Sequence, residues 1–167
     1  MALIIEDGSI VVGANSYVTL DELTEYATAR KIELPVDNTD LTALLLDAYD
    51  FVSTYEDYFA GTRVSPLEQT GAWPRKEVVV YGAQFPKDEI PTLVKTAQIQ
   101  IAVAASTGIA LFPSQTSASV SRETVGPITT VYASDWVEST LPVFSNVEAT
   151  LNPLFYSMGS YLHVVRV

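Results

Sequence analysis

The segment from about Pro91 to Thr107, PTLVKTAQIQIAVAAST, constrains the fold more than any other. Leu93, Val94, Ala97, Ile101, Ala104 and Ala105 form one face at helical spacing, while Ile99 and Val103 fall nearly opposite. A helix that is apolar on two sides has to be covered on both. In a chain of 167 residues the second cover is either the C-terminal segment or a neighbouring subunit, and the spacing leaves both open.

Two further helices are expected upstream. Thr19-Leu20-Asp21-Glu22 matches a capping box and opens a helix from about Leu20 to Lys31, with Leu20, Leu23, Tyr26, Ala27 and Arg30 on one face. After a loop containing Pro35, Asp37 and Asn38, a second helix is predicted from Asp40 to Phe59 and ended by Gly61. Leu41, Leu44, Leu45, Ala48, Val52, Tyr55 and Phe59 line its apolar side, and Asp40, Asp47, Asp50 and Asp57 form a solvated one.

Between these helices and the third lies a corner. Ser65-Pro66-Leu67-Glu68 reads as a second capping box with Pro at the first helical position, opening about one turn. Trp73 precedes Pro74, leaves helical geometry and plugs the core, while Arg75 and Lys76 are expected to face outward. Val78 to Gln84 fits a short strand, and residues 3 to 18 fit a short strand or extended arm broken at Asp7-Gly8 and Gly13.

From Gly108 the composition shifts. Ser114 to Thr124 is small and polar and reads as a mobile loop, Val120 to Ala133 as a hairpin or extended arm around Gly126-Pro127, and Pro142 to Leu154 as a short final helix. Tyr161 to Val167, YLHVVRV, is strand-like and suited to pairing within its own domain or with a partner's sheet. The expected fold class is mainly α: a small helical bundle of three to four main helices with a β-hairpin or extended arm and a strand-like C-terminal tail. Residues 1–112 form the core with its N-terminal arm, and 113–167 pack on that core or on a partner, as one domain overall.

Composition removes whole classes of chemistry. There are no cysteines, so disulfides, thiolate nucleophiles and zinc-thiolate sites are excluded. His163, the sole histidine, lies in the apolar terminal segment and makes a poor catalytic base. No phosphate-binding glycine loop is present, and the DNTD run at Asp37 to Asp40 lacks the alternating ligands and central glycine of a calcium loop. No enzyme activity, cofactor or metal is expected.

The formal charge of −11 argues against binding through phosphates, which draws its affinity from Lys and Arg. Residues 1–89 carry 16 acids and six bases, a net of −10, and the remainder is nearly neutral. Arg75 and Lys76 beside Trp73 make only a weak basic-aromatic patch. The start, MALIIEDG, has acids where an export signal needs a basic region, and Ile99 to Phe112 is too short to span a bilayer. A soluble protein with no membrane partner is expected.

Read in order, IIEDGSIVVGANSYVTLDELTEYATAR, SPLEQTGAWPRKEVVVYG, IPTLVKTAQIQIAVA, VGPITTVYA and the terminal VVRV resemble the small neck proteins of tailed bacteriophages. These are head-tail connector, or adaptor, proteins, and some relatives are filed as putative DnaT-like single-stranded-DNA-binding proteins. The resemblance implies a virion protein made in the host cytoplasm, a homo-oligomeric twelve-fold ring beneath the portal protein. Such a ring extends the DNA channel, passes DNA without sequence-specific binding and docks the stopper or tail. It implies no catalytic residue. Ile99, Val103, Trp73 and Arg75 are its candidate subunit interface. Tyr161, Leu162, His163, Val164, Val165, Arg166 and Val167 are its candidate portal-binding tail. The alternative is a single-stranded-DNA-binding replication accessory, which needs a basic groove with stacking aromatics that the sequence does not display.

Overall fold

The computed structural model describes residues 2–113, 122–125, 128–131 and 141–156, with the strands between 122 and 131 described through their backbone alone. The chain forms two compact units, Met1–Ile109 with Phe144–Val167, and Ala110–Val143. The second unit contains an antiparallel pair, Arg122–Val125 against Ile128–Val131, in a register that sets Val125 opposite Ile128. The hairpin expected between Val120 and Ala133 therefore forms at its centre.

The first unit is built on helices α1 (Leu20–Arg30), α2 (Asn38–Ser53), α3 (Thr92–Ser106) and α4 (Ser145–Leu151). The capping box at the start of α1 is complete: the Glu22 amide donates to the Thr19 hydroxyl and the Thr19 amide donates to Glu22 Oε2. Lys31 closes the helix in the left-handed conformation, with φ of 56°. α2 starts earlier than its sequence suggests because Asp37, outside the helix, accepts from the Thr39 amide and caps it.

α2 also stops six residues short of the predicted Phe59 end, at Ser53. Thr54 and Ser53 turn their hydroxyls back onto main-chain carbonyls, the competition that frays helix ends, and the chain continues as a 3-10 turn over Glu56–Tyr58. Gly61 accordingly caps no helix. It takes φ of 72° where a Cβ would strike the Lys76 carbonyl, so it permits the close approach of Thr62–Arg63 (β1) to Arg75–Lys76 (β2). Ser65 to Glu68 makes a single hydrogen-bonded turn, with Gln69 N donating to Ser65 O at 3.0 Å, and goes no further.

Val79–Val80 (β3) and Ala83–Gln84 (β4) form a tight hairpin where one strand was predicted; Tyr81 and Gly82, both at positive φ, make its turn. The N-terminal arm contributes one isolated bridge, Ile5 to Ser16. With the pair 122–125 and 128–131 of the second unit, the described residues contain three separate two-stranded antiparallel sheets and four α-helices.

The core of the first unit runs from Tyr17, Val18 and Leu23 through Leu45, Ala48, Phe51 and Val52 to Trp73, Val94, Ile101, Val147 and Leu151. α3 packs on α2 along one side and on α4 along another. Its second apolar face is thus covered by the C-terminal part of the same chain, and Gln100 marks the contact by accepting weakly from Asn146 and Thr150 at 3.4 Å. Asp40, Asp47, Asp50 and Asp57 are all exposed, as a solvated face requires.

Candidate functional site

Three buried polar clusters organise the first unit. Glu6, almost fully buried, turns its carboxylate onto the amides of Gly8, Ile10 and Val11 at 2.8 to 3.1 Å, so the charge is neutralised by backbone dipoles from its own loop. Gln98, wholly buried in the middle of α3, accepts from the Tyr17 amide and donates to Ser16 Oγ and Leu45 O, each at 2.9 Å. It ties the N-terminal arm, α2 and α3 together.

The third cluster corrects the sequence reading of Arg75. Its side chain points inward, not outward, and the residue is only 6% exposed. The guanidinium donates to Gly61 O at 2.8 Å and Ala60 O at 2.9 Å, with longer bonds to Phe59 O and Ala72 O at 3.3 Å. The cause is the corner itself: after α2 ends, residues 59–61 turn away with carbonyls that no helix or sheet satisfies, and a buried planar cation answers several at once. Burial lowers its pKa, and Glu56, with a carboxylate oxygen 3.6 Å away, opposes that. Glu56 itself is held by Arg63 through two bonds of 2.5 Å, and its pKa is lowered first by that pairing.

The other members of the expected interface are placed as follows. Trp73 is fully buried, its ring 5.6 Å from Phe59 and edge-on to it, and the Trp73-Pro74 peptide is cis. Its backbone amide donates to the Tyr17 hydroxyl at 3.1 Å. Ile99 is buried at 7% exposure, and Val103 is half-buried. Trp73, Arg75 and Ile99 therefore serve the interior of their own subunit, and none offers a free surface. Tyr161 to Val167, including His163 and Arg166, lie outside the described residues, as do residues 114–121 of the loop expected from Ser114 to Thr124, whose last three residues belong to the strand Arg122–Val125 instead.

Seven Lys and Arg side chains are described, and three of them are engaged within the subunit. Arg63 and Arg75 are committed to Glu56 and the corner, and Lys95 pairs with Glu22 at 2.9 Å. Arg30 lies 3.6 Å over the Tyr26 ring. Lys31, Lys76 and Lys87 are exposed, the last two beside Glu77 and Asp88 in a shallow groove of about 470 Å³. Among the described residues, no group of three or more His, Cys, Asp or Glu is placed to hold a metal, and no helix is long and apolar enough to cross a membrane.

A second groove, about 610 Å³, is lined by Tyr55, Tyr58, Ser145, Glu148, Ala149, Asn152 and Phe155. Tyr55 and Phe155 stack at 6.0 Å with 27° between planes, and Tyr58 leans on Phe155 at 5.9 Å. The rings stand on paired backbone: Ala60 N donates to Leu154 O and Tyr156 N to Tyr58 O, at 2.9 and 2.8 Å. Sequence reading missed this groove because Tyr55 and Phe155 are 100 positions apart and meet only once α2 has stopped early.

These features define a small mixed fold of four α-helices and small two-stranded antiparallel sheets, in which the buried side chains of Glu6, Arg75 and Gln98 satisfy main-chain groups of their own chain. The chain belongs to the family described as "Putative DnaT-like ssDNA binding protein", whose model matches residues 1–167. That description names single-stranded DNA binding and makes no mention of a phage head-tail connector. No curated protein and no solved structure matches the chain.

Proposed function

We propose that this protein is a non-catalytic structural subunit acting through protein contacts: the adaptor of a tailed-phage neck, assembling as a twelve-fold ring beneath the portal and docking the stopper or tail. The observation that carries this reading is the fate of the cations. Of the seven Lys and Arg side chains described, Arg63, Arg75 and Lys95 are paired within the subunit, and the exposed Arg30, Lys31, Lys76 and Lys87 are outnumbered by exposed acids that include Asp21, Glu25, Asp40, Asp47, Asp50 and Asp57. Such a surface repels a polyanion and suits a channel through which DNA must slide without sticking. The ordered resemblance of its segments to neck proteins supplies the setting, and the tail from Tyr161 to Val167 is the element assigned to the portal.

A second reading, single-stranded DNA binding in replication, is favoured by the family description, which covers the whole chain. The comparisons support it better than the adaptor; the charge geometry opposes it. It needs stacking aromatics and a cationic track together. Tyr55, Tyr58 and Phe155 supply the first, but among the described residues no Lys or Arg lines their groove.

Fluorescence anisotropy with a labelled oligothymidylate separates the two. The adaptor reading expects negligible binding at about 50 mM salt, and association with co-expressed portal into rings visible by negative stain. Tight binding that falls by orders of magnitude between about 50 and 200 mM salt establishes the second reading. A subunit that stays monomeric and ignores the portal refutes the first.

A further inference from the structure

We infer that the Tyr55–Tyr58–Phe155 groove is a docking site for an extended peptide segment of a partner protein, with an arginine flanked by apolar residues as its anchor. The floor is rigid before any partner arrives, because the 58–60 and 154–156 segments are hydrogen-bonded to each other and Phe59 beneath them is fully buried against Trp73. A preformed aromatic floor spares a ligand the cost of ordering it. Tyr58 is 60% exposed and half-buried Phe155 lies beside it, so apolar ring surface remains open to a ligand.

Charge selects among ligands that like aromatic faces. Among the described residues the one formal charge lining the groove is Glu148; burial, with Glu148 adding to it, raises the Tyr55 pKa, Asp57 is exposed beside Tyr58, and Glu56 is already occupied by Arg63 and Arg75. A guanidinium gains on both counts, stacking on a tyrosine face while meeting a carboxylate, and it sheds water more readily than an ammonium. The chain already uses such a stack in Arg30 over Tyr26. A nucleobase could use the rings, but its phosphates would meet Glu148 with no cation in the lining, among the described residues, to neutralise them.

The inference concerns the free subunit and does not depend on ring formation, so it survives or fails separately from the adaptor reading. The test is fluorescence anisotropy of the purified full chain with a short labelled peptide having a central Leu-Arg-Leu, and a matched one with Leu-Glu-Leu. Saturable binding of the arginine peptide with Kd below about 1 mM is expected. Tyr58→Ala should weaken it about tenfold, as loss of a central aromatic anchor does. Glu148→Gln should weaken it about threefold and flatten its salt dependence. Tyr81→Ala, at the 85% exposed tip of the β3–β4 hairpin, should leave it unchanged. No saturation by about 1 mM, equal binding of the glutamate peptide, or indifference to both groove variants overturns the inference. So does oligothymidylate binding that Tyr58→Ala abolishes, which would make the groove a base-stacking platform.

Discussion

Replacing Arg75 by methionine keeps an apolar stem of similar length and removes every donor, so it isolates what the guanidinium does. Two of its bonds are short, to Gly61 O and Ala60 O at 2.8 and 2.9 Å, and two are long at 3.3 Å. A hydrogen bond involving a charged group contributes about 1.5 to 3 kcal/mol. The low end applies to the short pair, because Gly61 O retains a second donor in the Tyr156 hydroxyl at 3.2 Å. That gives about 3 kcal/mol, and relief from burying the cation offsets part of it. Arg75→Met should therefore cost about 2 to 3 kcal/mol and lower Tm by roughly 5 to 10 °C for a chain of this size. Arg75→Lys should fall between, since an ammonium reaches fewer of the carbonyls. Urea unfolding followed by circular dichroism reads the effect as a lower midpoint at unchanged m. A loss below about 0.5 kcal/mol would refute the clamp, and with self-association abolished at wild-type stability it would return Arg75 to a subunit interface.

Three other perturbations read the interior. Gln98→Leu orphans the buried Tyr17 amide, while Ser16 keeps its bonds with Val18; a cost of about 2 kcal/mol by urea midpoint is expected, and an unchanged midpoint contradicts the hub. Gly71→Ala drives a Cβ into the hydroxyls of Tyr17 and Tyr49, so overpacking of about 1 to 3 kcal/mol should appear together with altered tyrosine signals in near-ultraviolet circular dichroism. The Glu56 pKa is lowered in the folded state, so its contribution is complete above the ordinary carboxylate value of 4.5 and is lost as pH falls through the folded value. Glu56→Gln should therefore melt lower than wild type near pH 7, and the gap should narrow towards pH 3; a gap independent of pH speaks against the ion pair.

Much of the helical frame was legible because it depends on short-range chemistry. The Thr19–Glu22 box, the stripe from Leu41 to Val52 and the apolar run of α3 are patterns within a few turns, and each lies close to its predicted place. What escaped depended on long-range partners. Nothing near Arg75 in sequence announces the carbonyls of residues 59–61, and Gln98 looks like an ordinary polar position until Tyr17 and Leu45 arrive beside it. The early end of α2 was hidden as well, since Tyr55 and Phe59 keep helical spacing while leaving the helix. Those departures build the aromatic groove, so the part of the surface with the most evident binding chemistry was the part least visible in the sequence.

The cover on α3 also bears on how copies of this protein could meet. Ile99 and Val103 suggested a seam because a doubly apolar helix needs two neighbours, and α4 now supplies the second from the same chain. A ring must then draw its contacts from apolar groups still exposed in the subunit. Among the described residues these include Val36 and Leu67, both 99% exposed, and Val79 with Tyr81 on the β3–β4 hairpin. Scattered single apolar residues are normal on a monomer and hold nothing together alone. Val79 and Tyr81 differ in sharing one short hairpin, whose two strands pair only with each other among the described residues, a geometry a neighbouring strand can extend. Association of copies, where it occurs, is therefore more consistent with edge contacts at this hairpin than with burial of α3, and a seam of that kind would leave the stability of each subunit independent of its neighbours.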